Sequence, residues 1–231
     1  MTHFVLIHGA FRGGWAWEPL SRELQARGHE VSAPTLTGCE AERPPDGAAV
    51  TLDQWVNDVV HAVRGAGEPV VLVAHSQGGI PVRCAVELCA DALEQVVYLD
   101  AAVPDHGERG VDLNPPGVPP PPDDLDPALS IPPRPVGAEQ GFTDPQLTEF
   151  VNAHLVSTPL GPSLDQAVLT DAGNGVPARF VFFTQTPATY PCQLTRSRLD
   201  ARGIEYSTFD GPHDSPLTQP AAIAEILLGQ R

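Results

Sequence analysis

Along the first hundred residues, short apolar runs alternate with segments whose apolar positions recur at helical spacing. "HFVLIH" (3–8), "EVSAP" (30–34), "PVVLVAH" (69–75) and "QVVYLD" (95–100) read as strands, with helices predicted over 15–28, 52–65 and 77–90. "FVLI" and "VVLVA" are apolar at every position, without the alternation of a strand that faces water on one side. Both faces of such strands must be covered by helices, which predicts a parallel α/β sheet. The pattern then breaks. Positions 115–135 hold ten prolines, including the run Pro119 to Pro122. Lacking N–H donors, this stretch enters neither a sheet interior nor a long helix, and serves as a linker or a lid.

Weak helical periodicity follows over 145–156 and 163–171. Strand and helix then alternate again: "ARFVFFT" (178–184), a helix over 190–202, "IEYSTFD" (204–210) and a helix over 216–229. Because the sheet pattern resumes, the middle segment is an insertion rather than a boundary. The expected organisation is a core formed by 1–104 and 177–231, with a cap or lid over 105–176. No internal repeat is present.

Composition narrows the partners. The 231 residues are 42% hydrophobic, ample for a packed core. With 29 acidic against 13 basic residues the formal net charge is −16, which repels nucleic acid phosphates and anionic membranes. A small-molecule or protein partner is expected. "MTHFVLIHGAFRGG" carries no basic leader or cleavable apolar region, and no apolar stretch reaches about 18 residues, so a cytoplasmic location is expected. Cys39, Cys84, Cys89 and Cys192 lack zinc-type spacing and read as reduced thiols. No metal or cofactor is implied.

The sharpest local signal is "VVLVAHSQGG", an apolar strand followed by a small-x-Ser-x-Gly turn and a helix. A serine held in so tight a strand-to-helix turn needs small neighbours two positions away on either side, and Ala74 and Gly78 supply them. Ser76 is the candidate nucleophile, and the N–H of Gln77 at the helix start points towards an anion. A serine hydroxyl needs a base within reach. Among eight histidines, His213 in "STFDGPHDSPLTQP" lies on a loop between the last strand and the last helix, where an α/β sheet collects reactive groups. His29, His61 and His154 lie in or beside helices. His8 and His75 belong to tight turns and read as packing residues, and His106 is a weaker candidate.

These residues resemble the α/β-hydrolase superfamily, and within it the small esterases that include plant methyl esterases and hydroxynitrile lyases and their bacterial relatives. "FVLIHGAFRGGWAWEPL", "LVAHSQGG", "VVYLDAAVP" and "GPHDSPLTQP" carry the resemblance, in the family's order over nearly the whole chain. The middle insertion matches only in position, where the family carries a cap. The resemblance implies that the N–H of Ala10 joins that of Gln77 in an oxyanion hole. In most of the superfamily a carboxylate follows the penultimate strand, yet "ARFVFFTQTPATYP" holds none. Asp100, at the tip of the neighbouring strand, is the natural substitute, since adjacent strands lie about 4.8 Å apart. Its rivals are Asp105, Asp171, Asp210 and Asp214. Asp210 and Asp214 approach His213 awkwardly, and Asp105 lies beyond a proline.

The expected activity is hydrolysis of a small carboxylic ester or lactone through an acyl-Ser76 intermediate, with His213 as base and Asp100 as its orienter. The alternatives are a lyase, cyclase, decarboxylase or C–C hydrolase on the same scaffold. Hydroxynitrile lyases of the resembling group carry threonine where this chain has Gly9 and lysine where it has Asp214, which argues against cyanohydrin cleavage. A ligand-binding member that turns over slowly is the third reading, suggested by the missing acid. Phe142, Phe150 and Leu155 are candidate pocket lining.

Overall fold

The computed structural model describes residues 1–41, 49–67, 69–115, 117–122, 124–170 and 174–229. In chain order the elements are β1 (His3–Ile7), α1 (Glu18–Ala26), β2 (Glu30–Ser32), α2 (Leu52–Gly65), β3 (Val70–His75), α3 (Gly79–Leu88), β4 (Leu93–Leu99), β5 (Ser130–Ile131), α4 (Pro145–His154), β6 (Thr158–Pro159), α5 (Gly161–Leu164), β7 (Ala178–Phe183), α6 (Cys192–Arg202), β8 (Ser207–Phe209), α7 (Ser215–Thr218) and α8 (Pro220–Leu227).

Six strands form one sheet in the order β2-β1-β3-β4-β7-β8, every pair parallel. The unbroken apolar runs follow from this arrangement. On one face Val5, Ile7, Leu72, Ala74, Val96 and Tyr98 pack with Trp55, Val56 and Val59 of α2 and Val82 and Val86 of α3. On the other, Phe4, Leu6, Val71, Val73, Val97 and Leu99 pack with Leu20 and Leu24 of α1 and Ile223 and Leu227 of α8. Successive side chains alternate faces, and each face meets helices.

From β1 the chain steps outward to β2, then returns to the opposite side of β1 to build β3 and the rest. The direction of winding therefore reverses between β1 and β3. In open α/β sheets ligands bind beyond the carboxyl ends of the two strands at such a reversal. Gly9 and Ser76 stand at those two ends.

Several elements are shorter than their patterns. The helix expected over 163–171 ends after one turn, at Leu164. Downstream, Gln166 forms a β-bridge with Arg109 and the N–H of Ala167 donates to the Glu108 carbonyl at 2.8 Å, bonds an α-helix could not spare. The helix expected over 216–229 is two helices. Pro220 disfavours helical backbone at Gln219, which sits at φ −138°, ψ 50°. The stretch expected as helix over 15–28 opens with a 3₁₀ turn, Gly14–Trp17, before α1. Likewise a 3₁₀ turn, Ser76–Gly78, precedes α3.

The proline-rich segment stays out of the main sheet. Among its described residues the only ladder is the two-residue antiparallel ribbon of β5 and β6. Beyond it α4 starts at an Asp144 side-chain cap, with Pro145 in its first turn.

Candidate active site

At the end of β3 the chain turns through Ser76, whose φ of +54° lies in the left-handed region. A non-glycine residue pays about 1 kcal/mol or more there, and persists only where its surroundings hold it. Those surroundings are close backbone. A Cβ on Gly78 would come 2.5 Å from the His8 carbonyl oxygen, and one on Gly79 2.4 Å from that of Ala102. The elbow thus packs directly on the ends of β1 and β4. Gly9 passes on the other side: a Cβ there would lie 2.7 Å from Ser76 Cβ and 3.2 Å from its Oγ. Ala74, the small residue before the turn, is fully buried. Among the described residues, no carbonyl of the turns and loops accepts the N–H of Ala10 or of Gln77.

Asp100, one residue past β4, also has positive φ, +47°, a conformation aspartate tolerates better than most side chains. Its N–H donates to the Val181 carbonyl at 2.7 Å, extending the β4–β7 ladder by one bond, and the turn aims its carboxylate back over β7. There Asp100 Oδ2 lies 2.5 Å from Nδ1 of His213. The same oxygen accepts the Thr186 hydroxyl at 2.5 Å, and Oδ1 accepts the Phe183 N–H at 3.2 Å. Asp100 is 0% exposed. Burial pushes its carboxyl up, but the bonds from His213, Thr186 and Phe183 outweigh it and hold the group below the usual carboxylate range. A buried carboxylate at a strand end is sustained by these three donors.

The strand tip that lacks a carboxylate therefore contributes a hydroxyl. Thr186 carries no mark in the sequence, because a threonine is an ordinary occupant of a loop after a strand. The rivals for the acid are engaged elsewhere. Asp105 accepts from Arg202 at 2.9 Å, and Asp210 from Thr184 and Gln185 at 2.7 and 3.2 Å. Asp214 pairs with Arg12 at 3.1 Å, and Asp171 lies outside the described residues. His106 accepts the Leu169 N–H at 3.0 Å within the inserted segment.

His75 does more than pack. Its Nε2 lies 2.9 Å from the His213 carbonyl oxygen, to which it donates, and the two imidazoles sit 4.6 Å apart at 37°. Tyr190 closes the other side of the His213 ring, edge-on at 4.8 Å. Behind them Arg12 and Asp214 form a buried pair. Burial pushes the Asp214 carboxyl up, yet the Arg12 guanidinium, with His213 and His75, holds it below its ordinary value. A lysine at 214 would face Arg12 across this pair. The thiol of Cys192 joins Asp100 and His213 in a group whose ligand-type atoms lie within 4.8 Å of one another. Burial pushes that thiol far up, so it stands as a neutral S–H, and a metal would have to displace the Asp100–His213 hydrogen bond.

Residues 4–226 match the alpha/beta hydrolase family. The chain belongs to that family. Over 121 residues this alpha/beta hydrolase is 37% identical to the carbendazim hydrolyzing esterase of Nocardioides sp. (strain SG-4G), covering 52% of this chain and 50% of that protein. It is 25% identical over 248 residues to the putative methylesterase 11, chloroplastic, of Arabidopsis thaliana, covering 98% of this chain and 63% of the relative. The chain thus spans about half to under two thirds of these curated relatives. An extracellular alpha/beta-hydrolase from a Paenibacillus species superposes with TM-score 0.80 at 20% identity, over 99% of this chain and 98% of that one, a likeness of fold.

Two histidines of this alpha/beta hydrolase are buried neutral. Burial lowers both His8 and His75 from 6.5 to about 4. His8 is consistent with one tautomer: Nε2 accepts the Leu36 N–H at 3.0 Å and Nδ1 donates to the Gly9 carbonyl at 2.9 Å. Between pH 6.5 and about 4 the unfolded chain binds protons at these sites that the folded chain does not. Their stabilisation is complete above that window and is lost as pH falls through it, by up to about 3 kcal/mol per histidine. Urea unfolding at about pH 7.5 and about pH 5 is expected to show a clear drop in stability at the lower pH. Equal stabilities would refute the account.

Proposed function

We propose that this chain hydrolyses a small carboxylic ester or lactone through an acyl-Ser76 intermediate. The observation that carries the reading is the 2.5 Å contact between buried Asp100 and Nδ1 of His213, beside a serine in left-handed backbone at the β3 elbow. Asp100 accepting at Nδ1 fixes the tautomer whose Nε2 lone pair is free to take the Ser76 proton. Ser76 Oγ attacks the ester carbonyl, and the oxyanion forms against the N–H groups of Ala10 and Gln77, which no turn or loop carbonyl accepts among the described residues. The imidazolium, charge-balanced by Asp100, then protonates the departing alkoxide. Water activated by the same imidazole releases the acid.

The segment 105–176 acts as the cap over this site. Phe142, Phe150 and Leu155 support that placement: with Val151 they pack against Trp15 and Ala16, next to the Gly9–Ala10 turn. The substrate is a small molecule, and the site of action the cytoplasm. No disulfide joins the four buried cysteines, and among the described residues no helix is long and apolar enough to cross a membrane.

A fluorophosphonate tests the reading. It is expected to label Ser76 stoichiometrically, as peptide mass spectrometry would locate, with hydrolysis of p-nitrophenyl acetate falling in step. Full turnover by completely labelled protein would overturn the assignment. So would cleavage of a bond without release of a carboxylic acid, the outcome a lyase requires.

A further inference from the structure

We infer that two hydroxyls of the inserted segment, Thr158 and Ser163, position the oxyanion donors, making the cap part of the transition-state machinery; this rests on the esterase reading above. The first contact is at Phe11, the residue after Ala10. Phe11 has φ +65°, left-handed backbone that its own side chain does not favour. Its N–H donates to Thr158 Oγ1 at 2.6 Å, and its carbonyl accepts the Val156 N–H at 3.2 Å. Both polar groups of that strained residue are thus held by the insertion. The Phe11 N–H shares its peptide plane with the Ala10 carbonyl, and the Ala10 N–H lies in the plane just before it, so this grip fixes the backbone one plane beyond the donor.

The second contact is at Gln77, whose side-chain Nε2 donates to Ser163 Oγ at 2.8 Å. A single short segment therefore reaches the residue after one donor and the side chain of the residue that carries the other. Thr158 is 1% and Ser163 6% exposed, so each bond is shielded from competing water.

The segment between them is itself braced. A Cβ on Gly161 would come 2.1 Å from the Val50 carbonyl oxygen, so the start of α5 lies directly on the core backbone. One on Gly110 would meet Ser163 at 3.0 Å. Asp165 Oδ2 accepts the Leu52 N–H at 2.8 Å, tying the far end to the first turn of α2. Trp15, in the 3₁₀ turn that follows, meets Phe150 edge-on at 5.8 Å and His154 at 5.5 Å, a third contact of the insertion near this end of β1. Donors aimed at a developing charge act through fixed geometry, and small misplacement is costly in rate.

Thr158→Val keeps the shape and removes the acceptor; Ser163→Ala removes the partner of Gln77. Each is expected to lower kcat about tenfold, and both together about 10²-fold, with KM within about twofold of wild type. Binding of a trifluoromethyl ketone, which forms a tetrahedral adduct, is expected to weaken in the same proportion as kcat. Thr158→Ser, which restores the acceptor, is expected to regain most of the loss. Circular dichroism and thermal melting identify any variant that fails to fold, and Ser163→Ala and Thr158→Ser then carry the test. Unchanged kcat in folded variants, or a raised KM with kcat intact, would overturn the inference. Wild-type labelling and turnover keep the two readings apart: if wild type does neither, the esterase reading fails and this one with it. If wild type does both and the variants match it, only the positioning role fails.

Discussion

Asp100→Asn is expected to lower kcat on a saturating ester by about 10⁴-fold. The carboxylate receives from three sides: Phe183 N–H at Oδ1, and the Thr186 hydroxyl and His213 Nδ1 at Oδ2. An asparagine fits the same space, but its amide turns an acceptor into a donor. The Phe183 N–H cannot reverse its role and claims the amide oxygen, so the NH₂ group faces His213. Nδ1 must then accept, the ring proton moves to Nε2, and the nitrogen that should take the Ser76 proton has no lone pair to offer. Asp210→Asn, a change at an exposed carboxylate bonded to Thr184 and Gln185, is expected to stay near wild type. Near-wild-type kcat for Asp100→Asn alongside inactive Asp210→Asn would relocate the acid.

Ser76→Ala is expected to abolish turnover, by about 10⁶-fold in kcat, leaving only what binding and the oxyanion donors supply. Its fold should survive unchanged, because alanine carries the same Cβ past Gly9 and endures the same φ of +54°. Ser76→Gly is the informative companion. It loses activity equally, yet glycine adopts left-handed backbone freely, so a stability gain of about 1 kcal/mol is expected over Ser76→Ala. Denaturant midpoints for the two variants, beside hydrolysis rates, measure both effects. Residual activity in Ser76→Ala comparable to wild type would remove the serine from the chemistry.

These expectations separate what was legible in the chain from what was not. The parallel sheet, its strand order of appearance and the position of the elbow could be read from "FVLI", "VVLVA" and "AHSQGG", because burial on both faces and a tight turn each demand particular residue types locally. Asp100 as the proposed acid rests on two features of the sequence, the carboxylate-free stretch after β7 and its own place at the tip of the strand beside β3. Helix ends were less legible. The stretch 163–171 is helical in pattern, but its backbone is taken by Glu108 and Arg109, residues that its own periodicity cannot reveal.

By itself the sequence determined the fold class, and it marked the Ser76 turn, the His213 loop and the strand that ends before Asp100 as the parts of the proposed site. Each depends on local patterning or on residue types within one segment. The tertiary structure alone decided what surrounds them. Thr186 meets Asp100 across 86 positions, His75 holds the His213 carbonyl across 138, and Thr158 reaches Phe11 across 147. Nothing local marks such residues: threonine and histidine are ordinary occupants of strand ends and loops. Their partners become neighbours only when the sheet sets β1, β3, β4 and β7 side by side and Thr158 comes against the turn after β1.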